Sequence, residues 1–113
     1  MTTSLTIGDY EITAVLDGPS TARDPGTIFA TVTPEQWDPY RSIALNKDGK
    51  WEPDWRAHLI RATNGEGPVI LVDAGMGDVI HEHTGKSGQL LDNLAALGVQ
   101  PENIDIVVTT HTH

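Results

Sequence analysis

The chain has 113 residues, no cysteine, and a formal net charge of −9 from 16 acidic against 7 basic residues. That length gives one modest domain, and the missing thiols exclude a disulfide framework, a thiolate metal site and a Cys nucleophile. The acidity argues against nucleic acid or an anionic membrane as partner, since both need clustered Lys and Arg. Any metal chemistry falls to His, Asp and Glu. The first ten residues hold no basic start and no long apolar run, so no signal peptide is expected. No stretch approaches the roughly 18 apolar residues of a membrane span. A soluble, cytoplasmic protein is the expectation.

Residues 5–16 read as two short strands around the break at Gly8-Asp9, with Ile7, Tyr10, Ile12 and Val15 as the apolar signal. Residues 17–53 are irregular and rich in Pro and Gly. Within them Thr33-Pro34-Glu35-Gln36-Trp37 is a short helix start, with Thr33 as N-cap and Pro34 in the first turn. A loop this long usually has a job or carries small elements of its own.

Order returns at Trp55. Residues 57–62 are strand-like, Asn64-Gly65-Glu66-Gly67-Pro68 is a turn, and Val69-Ile70-Leu71-Val72 is an aliphatic run of the kind buried on both faces of a sheet. It ends at the glycine turn Asp73-Ala74-Gly75-Met76-Gly77-Asp78. Residues 87–97 are the clearest helix. Leu90, Leu91, Leu94 and Leu97 make one stripe, Ser87 can cap the start, and Gly98 and Pro101 mark the stop. Residues 104–110 form a further strand that delivers Thr110-His111-Thr112-His113. Strand, glycine turn, helix and strand make a βαβ unit, hence a parallel pair and an α/β fold. One domain is expected over 1–113, divided into opening strands with a long irregular segment (1–54) and the βαβ unit (55–113).

His111 and His113 lie two apart at the end of a strand. In extended backbone they point the same way, so two imidazoles can reach one metal ion, at the strand end where α/β ligand sites collect. Such a pair alone is a weak signal. Its setting strengthens it. An aliphatic strand ending in Asp73-Ala74-Gly75 is followed by a helix closing at Leu97-Gly98. Then Gly98-Val99-Gln100-Pro101-Glu102-Asn103-Ile104-Asp105 leads into the strand before His111-Thr112-His113. This order resembles the metallo-β-lactamase superfamily, over roughly residues 57–113.

The resemblance implies the N-terminal half of an αββα sandwich, a mixed sheet with a packed helix. It also implies that the parent protein is a hydrolase using one or two zinc ions. His111 and His113 match the first two metal-binding histidines of the family's H-x-H-x-D-H motif. Asp73 matches a supporting, non-ligating aspartate, and Gly75 the turn glycine beside it. The Asp and His that complete the motif would fall after His113. The chain is therefore expected to be a fragment with no complete catalytic set, inactive by itself. The inner face of its sheet would be open to self-association. The implied substrate is a small ester, lactone or related molecule. The narrower reading, lactonase-like activity, rests on the long opening segment and the Asp-Ala-Gly turn.

Other residues invite two readings. His81-Glu82-His83 sits in a polar loop and reads as solvated, with a separate metal site or a contribution to the substrate edge as the alternative. His58 reads as structural, and Asp78 as a loop residue rather than a base. Trp37, Trp51 and Trp55 either pin the irregular segment to the core or line a substrate pocket. For the whole chain the alternative class is a non-catalytic α/β interaction module or the product of a decayed gene.

Overall fold

The computed structural model describes residues 3–19, 21–80, 82 and 85–112. His81, His83 and His113 lie outside the described residues. A five-stranded sheet in the order β1-β2-β3-β4-β5 organises the chain. β1 (Thr3–Ile7) turns at Gly8, φ +57°, into β2 (Tyr10–Pro19). β2 pairs antiparallel with β1 and with β3 (Asp54–Ala62). β3 pairs antiparallel with β4 (Ile70–Val72), and β4 lies parallel to β5 (Ile106–Val108). The parallel β4–β5 pair is the arrangement that the βαβ pattern predicts.

One face of this sheet carries the core. Thr13 stands opposite Leu59, and Leu59 opposite Leu71. Val15 stands opposite Ala57. All five are buried, and helical Leu90 and Leu94 close over them with Val99. The hydroxyl of buried Thr13 is paired with that of Ser4 at 2.9 Å, which keeps its burial from costing an unmade hydrogen bond.

The other face is open. Leu5, Ile12, Ile60, Ile70 and Ile106 stand in one cross-strand row, and pleating sends a paired row to the same side. Its ends, Leu5 and Ile106, are 60% and 45% exposed. Ile7, Tyr10 and Val108, on the same side by alternation, are exposed too. The aliphatic run at β4 is thus buried on one face rather than two: Leu71 is buried, while Ile70 and Val72 are half-buried. The apolar signal at Ile7 and Tyr10 likewise belongs to this open face and not to the core.

The helix over 87–97 is shorter than the spacing suggests. It forms α3 only over Leu90–Ala96 (α1, Pro25–Ile28, and α2, Arg41–Ala44, precede it in the chain), with Gln89 rather than Ser87 at its N-cap. The Gln89 and Leu90 N–H groups donate instead to Asp17, to its C=O at 2.6 Å and its Oδ1 at 3.0 Å. A tertiary acceptor has displaced the local cap. α3 packs on β2, burying Leu90 and Leu94 and leaving Leu91 63% exposed. Leu91 therefore lies off the stripe. At the other end Gly98 is left-handed, φ +76°; its N–H reaches Ala95 C=O, and Val99 N–H reaches Leu94 C=O. These are the two bonds of a Schellman stop, with Val99 and Leu94 as the accompanying apolar contact.

Residues 21–53 carry elements of their own. α1 (Pro25–Ile28) starts at Asp24, whose side chain accepts the Gly26 N–H. A 3-10 helix, Pro34–Tyr40, starts at Thr33 as predicted, with Gln36 Oε1 accepting the Thr33 N–H at 2.8 Å. It runs into α2 (Arg41–Ala44). Phe29 packs edge-on against Trp37 and Trp51, with ring centres 5.5 and 5.2 Å apart. Arg23 and Trp51 exchange backbone bonds of 2.9 Å. Trp37 and Trp51 therefore pin the segment to itself, while Trp55 goes elsewhere.

Candidate metal centre

The site lies at the carboxyl ends of β4 and β5. Asp73, the residue after β4, has φ +64°, a left-handed backbone that non-glycine residues rarely adopt. Its N–H donates to Val108 C=O at 2.8 Å, so the first turn residue is still tied to β5. The twist turns its carboxylate across to the next strand end. Oδ1 accepts the Thr110 N–H at 2.9 Å and Oδ2 accepts the Thr110 hydroxyl at 2.7 Å. The Thr110 N–H, then its hydroxyl, hold the Asp73 carboxyl below its usual 3.8, with smaller help from His111 and His58 against the opposing effect of burial.

Thr110 Oγ1 also lies 2.8 Å from His111 Nδ1. The direction of that bond follows from counting hydrogens. A carboxylate only accepts, so the single hydroxyl hydrogen goes to Asp73. Nδ1 of His111 must then be the donor, which places the proton of the neutral ring on Nδ1 and leaves Nε2 as the basic nitrogen. Asp73 Oδ1 is a further 4.0 Å from Nδ1. An imidazole held this way is what a metal ligand needs: the non-ligating nitrogen donates to an oxygen, which fixes tautomer and ring plane.

Among the described residues, no three His, Asp or Glu come together as a metal-holding group. The donor set on view fits one zinc ligand, His111, with its support. The second predicted ligand, His113, is outside the described residues.

Asp73 thus lies beside the 109–111 segment, bonded to Thr110. Gly75 has φ +72°, and a Cβ there would stand 2.8 Å from the carboxylate of Asp17. His58 is exposed, on the open face opposite Val72, and close enough to Asp73 to act on its charge. Asp78 is an exposed turn residue. A cleft of about 950 Å³ opens beside His111 and Asp73, with Trp55, Arg56 and Met76 on its walls. Of the three tryptophans, Trp55 is the one in the cleft. A second concavity, about 380 Å³, lies at the far end of the strands around Arg61. There Arg61 is committed to Glu11 and to Leu97 C=O, each at 3.3 Å.

Two residues of this site escaped the sequence. Thr110 reads in the sequence only as the last residue of the strand before the histidines. Asp17 fell in a segment read as irregular, yet it is 1% exposed with both carboxylate oxygens bonded. The available signal was a charged residue followed by glycine at the end of a strand pattern, Leu16-Asp17-Gly18, where a bulge belongs.

No family model and no curated protein matches the chain. Solved structures do. A hydrolase, AbOPH, of the β-lactamase superfamily matches 99% of this chain with a TM-score of 0.73 and 30% identity. A probable metal-dependent hydrolase from Staphylococcus aureus matches 96% with a TM-score of 0.72 and 22% identity. AidC, a dizinc quorum-quenching lactonase solved with the product N-hexnoyl-L-homoserine, matches 99% with a TM-score of 0.73 and 20% identity. The chain spans 36%, 40% and 36% of these three, respectively. The fold is that of the metallo-β-lactamase superfamily, over the part of it that this chain spans.

Proposed function

We propose that the chain is the metal-loop portion of a zinc-dependent hydrolase acting on a small ester, lactone or related substrate. One observation carries the reading: the Asp73–Thr110–His111 relay sets the His111 tautomer at the carboxyl ends of two parallel strands. The names of the similar structures, hydrolases and in one case a dizinc lactonase, support it. His111 and His113 are the proposed ligands; Asp73 and Gly75 hold the loop that presents them. Zinc, when bound, supplies Lewis acidity and acidifies water to a pKa near 7. The chain's own part is to fix the tautomer and plane of the His111 ring through Nδ1, so that Nε2 is the nitrogen presented, with the cleft beside it to receive substrate.

A catalytic zinc usually takes three protein ligands and one open position. This reading takes the remaining ligands from outside residues 1–113, and on it zinc on this stretch alone should be weak and inactive. The lactonase-like substrate is the narrowest form of the proposal. The test is ester and lactone hydrolysis by the longer protein before chelation, after it, and after zinc is restored. The expected result is activity lost, then regained, and absent in His111→Ala. Turnover indifferent to both chelator and His111→Ala overturns the reading.

A second reading rests on the open sheet face. Exposed Leu5, Ile7, Tyr10, Ile106 and Val108 form an apolar surface suited to covering by another copy of the chain. On this reading residues 1–113 act as a non-catalytic association module. Nucleic acid and membrane surfaces are not the proposed partners. Among the described residues no helix is long and apolar enough to cross a membrane.

A further inference from the structure

We propose that Asp17 is a positioning residue for the metal centre, acting on His111 through the turn at residues 73–76. The proposal rests on the reading of His111 as a ligand.

Asp17 is the extra residue of a β-bulge. Leu16 pairs with Arg56 and Gly18 with Trp55, so two steps on β2 match one on β3. A bulge re-aims a side chain and is a recurrent device beside active sites. Here it presents the Asp17 carboxylate, 1% exposed, to a loop more than fifty residues away. Oδ2 accepts the Met76 N–H at 2.7 Å, Oδ1 accepts the Leu90 N–H at 3.0 Å, and the Asp17 C=O accepts the Gln89 N–H at 2.6 Å. The excursion between β4 and α3 is thereby held at both ends by one residue.

The surroundings are shaped for that carboxylate. A Cβ on Gly75 would lie 2.8 Å from it, and one on Gly88 2.6 Å from its Oδ1. Two glycines let backbone approach a buried charge closely enough to hydrogen-bond it, and a buried charge persists only when so bonded.

The link to the metal centre runs through Asp73. Its left-handed backbone, φ +64°, is a strained state that lasts only where neighbours over-determine it. Thr110 and Val108 hold it from the strand side. Asp17 holds the turn from behind, at Met76, three residues on. With that second anchor the Asp73 carboxylate stays aimed at Thr110, and the Thr110 hydroxyl stays committed, which fixes Nδ1–H on His111. Without it Asp73 can relax, and the tautomer is no longer specified.

Asp17→Asn keeps the volume but offers one oxygen to two N–H donors. The expected result has three parts. Amide exchange at Thr110, which Asp17 does not touch, speeds up at least about tenfold while the β1–β2 ladder is unchanged. The ¹⁵N shifts of the His111 ring move from Nδ1–H toward a mixed tautomer. Zinc affinity, read by competition with a chromophoric chelator, falls about tenfold, the low end for loss of support behind a ligand. A lowered melting temperature with Thr110 exchange and His111 shifts unmoved overturns the proposal and leaves Asp17 a clamp for the fold. The unaltered protein offers a check that needs no variant. Its Met76, Leu90 and Thr110 amides should open as a unit, with opening constants within about threefold of one another; independent opening overturns the proposal even if Asp17→Asn does not fold. Both the exchange and the ring-shift readouts are metal-free. If they behave as expected while the protein binds no zinc, the positioning role stands and the metal reading falls. If zinc binds and Asp17→Asn alters neither signal nor affinity, the metal reading stands and the positioning role falls.

Discussion

Thr110 is the narrowest part of the site, and Thr110→Val is its sharpest probe. The substitution keeps the β-branched shape and removes one hydroxyl. That hydroxyl donates to Asp73 Oδ2 at 2.7 Å and accepts from His111 Nδ1 at 2.8 Å. A hydrogen bond to a charged group contributes about 1.5–3 kcal/mol and a neutral one about 0.5–1.5. Thr110 is exposed, so water replaces part of each, and a total of about 1.5 kcal/mol is a fair figure for the orientation of the ring. That is roughly tenfold in an equilibrium. The first readout is the His111 ring by ¹⁵N NMR without metal. The native protein should be dominated by the Nδ1–H tautomer, and Thr110→Val should move it toward the Nε2–H form usual for a solvated histidine. The second is zinc affinity, expected to fall about tenfold, with Thr110→Ser restoring most of it. A native ring already in the Nε2–H tautomer, or zinc binding by Thr110→Val within about twofold of native, would refute the hydrogen count on which the site rests.

Other expectations follow from the core, from the acid limb and from the open face. Leu94→Ala, at a fully buried position, should cost about 3 kcal/mol in urea unfolding, whereas Leu91→Ala, 63% exposed, should stay within about 0.5; equal costs would mean α3 packs on another side. Because the folded pKa of Asp73 lies below 3.8, its contribution to stability is present above that value and drains away as pH falls through the folded pKa. Native protein and Asp73→Asn should therefore differ by a full, steady gap above about pH 3.8, and that gap should close as pH falls through the folded pKa; a gap unchanged through the acid limb would remove the carboxylate from the account. Ile106→Lys, on the open face, should shift sedimentation of residues 1–113 toward the monomer, and unchanged association would show that this face is not what brings copies together.

Much of the fold was legible because local rules and the final structure agree. The Gly98 stop is written in the need for a left-handed residue after a helix, the parallel β4–β5 pair in the strand–helix–strand order, and the 3-10 start in Thr33-Pro34 with Gln36 three residues on. The resemblance, which depends on order and spacing, is what singles out His111 and Asp73 as candidates. What sequence could not supply is whatever depends on who arrives from far along the chain. Ser87 is a sound local cap, yet the helix begins three residues later because Asp17 supplies the acceptor. Leu91 fits the leucine spacing, but the sheet occupies only the side that Leu90 and Leu94 face. Ile7 and Tyr10 have the apolarity of core residues, and which face of a sheet becomes the core is decided by where the helix lands. Asp17 carries only the hint of a bulge in Leu16-Asp17-Gly18 and Thr110 carries no local signature, since an aspartate at a bulge and a threonine at a strand end are ordinary. Their roles exist only when the turn at Asp73 meets the end of β5 on one side and β2 on the other. Sequence determined the elements and the chemistry available to them, because propensity and periodicity act within a few residues. Tertiary structure decided which polar groups satisfy one another, because a buried carboxylate or a helix end takes the best-placed partner whatever its distance along the chain.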